Sequence, residues 1–186
     1  RGTGQGRDRL ASSLFQTWLH GSEASRTVCI VPDFIFGLPT HVLVVHSAVV
    51  LVPLTAVAAI VMAVSARVSV RFGPAIAAVA VAGLLGSVAS RLTGPELALS
   101  VGVSEDHHNA GNLLPFFSAA LTIAVIALWL IDRRSSGSRS LGTSILAVVV
   151  VTVAILAAGW TVRTGHTGSE QVWQGVADQA MSAPRG

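Results

Sequence analysis

Four long stretches without a single charged residue constrain this chain more than any motif. None lies between Asp33 and Arg67, between Arg71 and Arg91, between Asp106 and Asp132, or between Arg139 and Arg163. A helix needs about 20 mostly apolar residues to cross ~30 Å of hydrocarbon, and each interval holds such a run. Residues 42–65, 74–90, 113–131 and 144–161 are the expected spans. Buried helices of a large soluble protein would look similar, but 186 residues are too few to surround four of them. Charged residues make up only 11% of the chain and mean hydropathy is +0.68. A soluble domain needs about 25% charged residues to keep its surface wet. That deficit argues against a soluble enzyme, a disordered tail and a nucleic-acid binder. The 12 basic residues are all arginine and dispersed, so the net charge of +3 marks no nucleic-acid surface. The fold class that follows is all-α, an integral membrane four-helix up-down bundle.

The connections refine this reading. Residues 66–73 (ARVSVRFG) read as a tight turn that makes the first two helices antiparallel neighbours, and residues 132–143 (DRRSSGSRSLGT) as a polar Gly/Ser-rich loop. Between spans two and three, Thr93-Gly-Pro-Glu96 has capping-box spacing, which predicts a short interfacial helix over 95–101. Ser104, followed by Glu105 and Asp106, is placed to cap the third helix. Arginine near helix ends sets orientation. Arg67, Arg71, Arg133, Arg134 and Arg139 flank the two short connections, against Arg26, Arg91 and Arg163 on the other side. That balance predicts cytoplasmic connections and both termini outside a cell membrane.

Pro53 and Pro115 fall inside spans one and three, where neighbouring helices can re-satisfy the freed carbonyls. Ala75, Ala78, Ala82 and Gly86 suggest a small-residue face in span two. Residues 1–33 read as an extension, either an amphipathic surface helix built on Leu10, Leu14, Phe15, Trp18 and Leu19 or a poorly ordered segment. Residues 34–175 form the transmembrane domain and 176–186 a tail. Cys29 has no second cysteine to pair with and reads as a small apolar residue. The chain opens on Arg1, which leaves room for an upstream leader.

Histidine is the residue type with chemistry to offer. With alternating spans, His41, His46, His107, His108 and His166 all fall at one membrane face. His41 and His46 are five apart, about 140° around a helix, and His107 and His108 diverge by about 100°. Any shared site therefore takes one histidine from each helix. His46, His107 and His166 are the expected set, with His41 a weaker member discounted for its shallower position. Two readings stand. The cluster fixes helix ends through hydrogen bonds, or it binds haem, a transition metal or a quinone. No HExxH pair and no cysteine pair is present, and no span carries an acid or base at mid-membrane, which argues against a transporter.

Three motifs carry a resemblance. Gly37-Leu-Pro-Thr-His41, with Val44-Val-His46 and Val49-Val-Leu-Val-Pro53-Leu54, resembles the first helix of a bacterial four-helix membrane family known as domain-of-unknown-function family 2231. His107 and Gly111 match its His-x3-Gly, and Gly165-His166-Thr-Gly168 with Val172-Trp173 its closing segment. The resemblance covers roughly residues 34–175 and implies four spans in a bacterial cell membrane without an established activity. His108 lies outside the pattern. The functional expectation is a small non-catalytic membrane subunit, its partners the bilayer and a membrane protein or a second copy. A redox component using His46, His107 and His166 is the alternative.

Overall fold

The computed structural model describes residues 34–35, 38–101, 104–135 and 138–182. The readings made for residues 1–33 and for the last four residues of the tail lie outside them. A two-residue antiparallel pairing, β1 (Phe34–Ile35) with β2 (Leu38–Pro39), leads into four helices. These are α1 (Thr40–Val64), α2 (Ala66–Val101), α3 (Glu105–Arg134) and α4 (Leu141–Ser182). All four are long and apolar enough to cross a membrane.

Successive helices pack as neighbours, and α4 closes the ring against α1, while α1 and α3 barely touch across the diagonal. The contacts run antiparallel. Ser47 and Ala48 meet Gly86, and Leu51 meets Gly83. The Thr122 hydroxyl donates to the Ala80 carbonyl at 3.2 Å, and the Trp160 indole N–H to the Ala110 carbonyl at 3.0 Å. This is the expected all-α up-down bundle. Its core is built from Val52, Ala56, Ala59 and Met62 of α1, Leu121, Val125 and Leu128 of α3, and Val150, Ala154 and Ala157 of α4. So much alanine lets the backbones approach closely, which matters in lipid because tails offer helices no hydrophobic drive to associate.

Four local expectations change. The segment 66–73 is not a turn, because α2 begins at Ala66 and the reversal is made at Ser65. The Val68 N–H donates to the Ser65 hydroxyl at 3.4 Å, an N-cap that lets the second helix start without a loop. Gly73 and Pro74 are carried inside α2, and the Trp129 side chain occupies the space a Cβ on Gly73 would need. Residues 95–101 are not a separate helix but the end of α2. Thr93 does not open a capping box: its hydroxyl donates to the Ala89 carbonyl at 2.9 Å, as a residue inside a helix does. The small-residue face is rotated, too. Ala77, Ala80, Gly83, Gly86 and Ser87 are buried, while Ala75, Ala78 and Ala82 are exposed. Finally α4 runs well past residue 161. Its 42 residues extend about 63 Å at 1.5 Å each, twice the hydrocarbon thickness, so its end projects from the bilayer.

Ser104 caps α3 as expected, accepting from the His107 N–H at 3.4 Å. Glu105 and Asp106 occupy the first turn and Arg133 and Arg134 the last, each complementing the helix dipole. Both Pro53 and Pro115 lie within helices that continue past them.

Candidate histidine site and the opposite end

The alternation of helices brings the start of α1 and α3 together with the later parts of α2 and α4. His41 stands in the first turn of α1, ahead of the apolar run Leu43–Val64. Its Nδ1 is 3.0 Å from the Thr93 hydroxyl on α2. That hydroxyl already donates to Ala89, so it accepts here and Nδ1 carries the proton. The ring lies over Gly94, where a Cβ would sit 3.4 Å from Cε1. Burial first, then the neighbouring His107, lowers the pKa of the His41 imidazole from its ordinary 6.5, partly opposed by a hydrogen bond to the Ser90 backbone. His41 is therefore neutral at pH 7.

His107 does for α3 and α4 what His41 does for α1 and α2. Its Nδ1 lies 3.2 Å from the Thr164 carbonyl oxygen and 3.2 Å from the Thr167 hydroxyl. A carbonyl only accepts, so Nδ1–H is the donor. The Thr167 hydroxyl in turn donates to the same carbonyl at 3.1 Å. The ring packs on Gly168, where a Cβ would come within 2.9 Å of Cε1. One turn deeper, Trp160 stacks on Phe117 with centroids 4.7 Å apart, and Arg163 covers its outer face at 4.9 Å.

Of the expected trio, His107 turns its ring toward a neighbouring helix. The ring of His41, the member discounted for its shallow position, feels that of His107. His46 is exposed on α1, and His108 is exposed beside His107. The His166 side chain is 68% exposed, its Nε2 3.2 Å from Glu170 Oε1 one turn along the same helix. Helix phase explains this: 140° of rotation separates His46 from His41, and His166 is two residues from Thr164, which faces inward. Among the described residues no three His, Cys, Asp or Glu side chains are placed to share a metal ion.

The sequence reading missed the strongest polar feature, at the opposite end. Asp132, wholly buried at the end of α3, is paired with Arg139 of the following loop. Arg139 Nε donates to Oδ1 at 3.0 Å and Nη2 to Oδ2 at 2.7 Å. The same guanidinium donates to the Met62 carbonyl at 2.7 Å and to the Ala63 carbonyl. Those carbonyls belong to the last turn of α1, where acceptors lack helical partners and the dipole favours a cation. Arg139 thus joins the α3–α4 loop to the α1–α2 hairpin. The sequence signal was a lone acid ending an apolar run, with an arginine seven residues on.

Four helices long and apolar enough to cross a bilayer, closed at both ends by polar ties, fit an integral membrane protein of the four-helix bundle class. Compared with protein families, curated proteins and solved structures, the chain matches none of them.

Proposed function

We propose that this protein is a small non-catalytic subunit of a membrane assembly, and that its histidines lock the bundle rather than hold a cofactor. One observation carries the reading. The two inward imidazoles each spend Nδ1 on a hydrogen bond between neighbouring helices, His41 from α1 to α2 and His107 from α3 to α4. The part of α4 beyond the membrane supplies a docking surface, with Val172, Trp173 and Val176 exposed on a projecting helix. Orientation follows the arginines: Arg67, Arg71, Arg133 and Arg134 are exposed at the hairpin end, Arg91 and Arg163 at the histidine end. This supports a histidine face outside the cell.

The relationship to domain-of-unknown-function family 2231 is part of the proposal. Its support is that residues from all three motifs, His41, His107 and Gly168, meet at one end of the bundle. The test is an absorption spectrum and metal analysis of the purified protein, alongside thermal unfolding of His41→Ala and His107→Ala. Loss of stability by ~1–3 kcal/mol each, from leaving a polar partner unsatisfied, with no chromophore to lose, is the expected result. A haem band or stoichiometric metal that disappears in either variant would overturn the lock and establish the redox alternative.

A further inference from the structure

A groove opens on the outer face of the α1–α2 hairpin, far from the histidines. Leu54 and Val61 of α1 and Phe72 of α2 form its rims and are 52%, 47% and 50% exposed. Ala58 and Ala75 leave the space between them, a cavity of about 390 Å³. The hydroxyl in its floor, Thr55, donates to the Leu51 carbonyl at 2.7 Å, so it needs no outside partner. Such a slot takes hydrocarbon.

Its length narrows the occupant. Residues 54 to 61 rise about 10 Å, a third of the ~30 Å hydrocarbon, and all on the hairpin side. A docked transmembrane helix would want a seat along the whole span, whereas this one fits the depth of a single leaflet. Charge narrows it further. Beside the groove, toward its hairpin end, Arg67 and Arg71 are exposed, and neither pairs with an acid among the described residues. The Arg71 guanidinium sits 5.4 Å over the ring of Phe72, the same residue that forms the rim. A cationic head site is therefore continuous with an apolar slot.

We propose that this groove seats an acyl chain of an anionic phospholipid whose phosphate is held by Arg67 and Arg71. The energetics are those of basic residues at an anionic bilayer surface and of charge-assisted hydrogen bonds to phosphate.

The test uses the full chain in detergent, mixed with equal amounts of phosphatidylglycerol and phosphatidylcholine bearing identical acyl chains. Bound lipid is read by native mass spectrometry. Phosphatidylglycerol should be retained preferentially, and R67Q/R71Q should lower its retention about 30-fold, taking ~1 kcal/mol per arginine at tenfold per 1.4 kcal/mol. Ala75→Phe, at an exposed position where folding is not at stake, should lower retention of both lipids by filling the slot. R133Q/R134Q removes the same charge from the same end and should leave retention unchanged. Equal retention of the two lipids by the unmodified chain would overturn the proposal. So would an R133Q/R134Q effect as large as that of R67Q/R71Q, which would mean attraction to net charge. A dimer dissolved by Ala75→Phe with lipid retention intact would make the groove a seat for a second copy instead.

Discussion

Replacing Arg139 by methionine removes the guanidinium while keeping an apolar stem of similar reach. Asp132, with no exposure at all, then loses both of its charge-assisted hydrogen bonds, and the Met62 and Ala63 carbonyls lose their donors. Breaking one side of a buried ion pair costs about 3–5 kcal/mol. The Arg139 side chain is 15% exposed, so water at this end of the bundle moderates the penalty. The lower figure, about 3 kcal/mol, is the expectation. Asp132→Asn should cost less, because Arg139 keeps its two carbonyl acceptors and its contact with water. The double variant should be more stable than Arg139→Met alone, since no unpaired charge is then buried. Unfolding in mixed micelles, followed by tryptophan fluorescence, gives all four corners of the cycle; Trp129 lies one turn from Asp132. A coupling energy within ~0.5 kcal/mol of zero, the scatter of independent sites, would refute the claim that this pair holds the loop to the hairpin.

Gly168→Ala drives a Cβ into the His107 ring and should lower stability by ~1–3 kcal/mol, as overpacking does. Gly165→Ala, with nothing within 4 Å, should be neutral or slightly stabilising in the same melts. The lowered pKa of His41 makes stability depend on pH with a definite sign. Below about 6.5 the unfolded ring takes up a proton that the folded ring refuses. Stability should thus be complete above that pH and fall as the pH drops through the folded value. A melting-temperature series from pH 7.5 to 5 should show this, and His41→Asn should flatten it; an unchanged slope in the variant would count against the assignment. Single cysteines at Ser138 and Ser169, each in a chain with Cys29→Ser, report orientation. Labelling of Ser169→Cys alone by an impermeant external reagent is expected, and the reverse pattern would invert the topology.

The spans were legible because lipid imposes a length and excludes charge, and both leave marks in sequence. What was not legible is rotation about each helix axis. In a soluble helix the polar face sets the phase, but α2 is apolar all round, so the Ala75/Ala78/Ala82 row and the buried Ala77/Ala80/Gly83 row looked alike. The same blindness selected His46 over His41. Depth in the span can be read from a sequence, whereas the facing Thr93 and Gly94 that seat His41 become visible only when α2 is laid beside α1. Residues 66–73 read as a turn that ends on Gly73. Here Trp129 packs where the glycine leaves room, and the helix continues.

The polar ties lie at the two ends of the bundle for a reason rooted in the medium. Within the hydrocarbon, tails solvate leucine and valine as well as another helix does, so the alanine-rich interior gains close packing but little hydrophobic drive. Hydroxyls along the spans (Thr55, Ser118, Thr122, Thr161) donate to carbonyls of their own helix, four residues back, and Thr122 also reaches across to α2. Ties between helices are thus concentrated where partial access to water lowers the cost of placing polar groups. At the hairpin end, the helix terminus of α1 presents bare carbonyls, and a guanidinium anchored by a carboxylate answers them. At the other end α1 and α3 begin, so the groups to be joined are side chains on one helix and hydroxyls or carbonyls on the next. An imidazole suits that task, since it offers a directed N–H donor on a flat ring that can lie against a glycine. His41 on Gly94 and His107 on Gly168 are two copies of this one solution. His41 and His107 thus stand at this face as the donors of two interhelical hydrogen bonds.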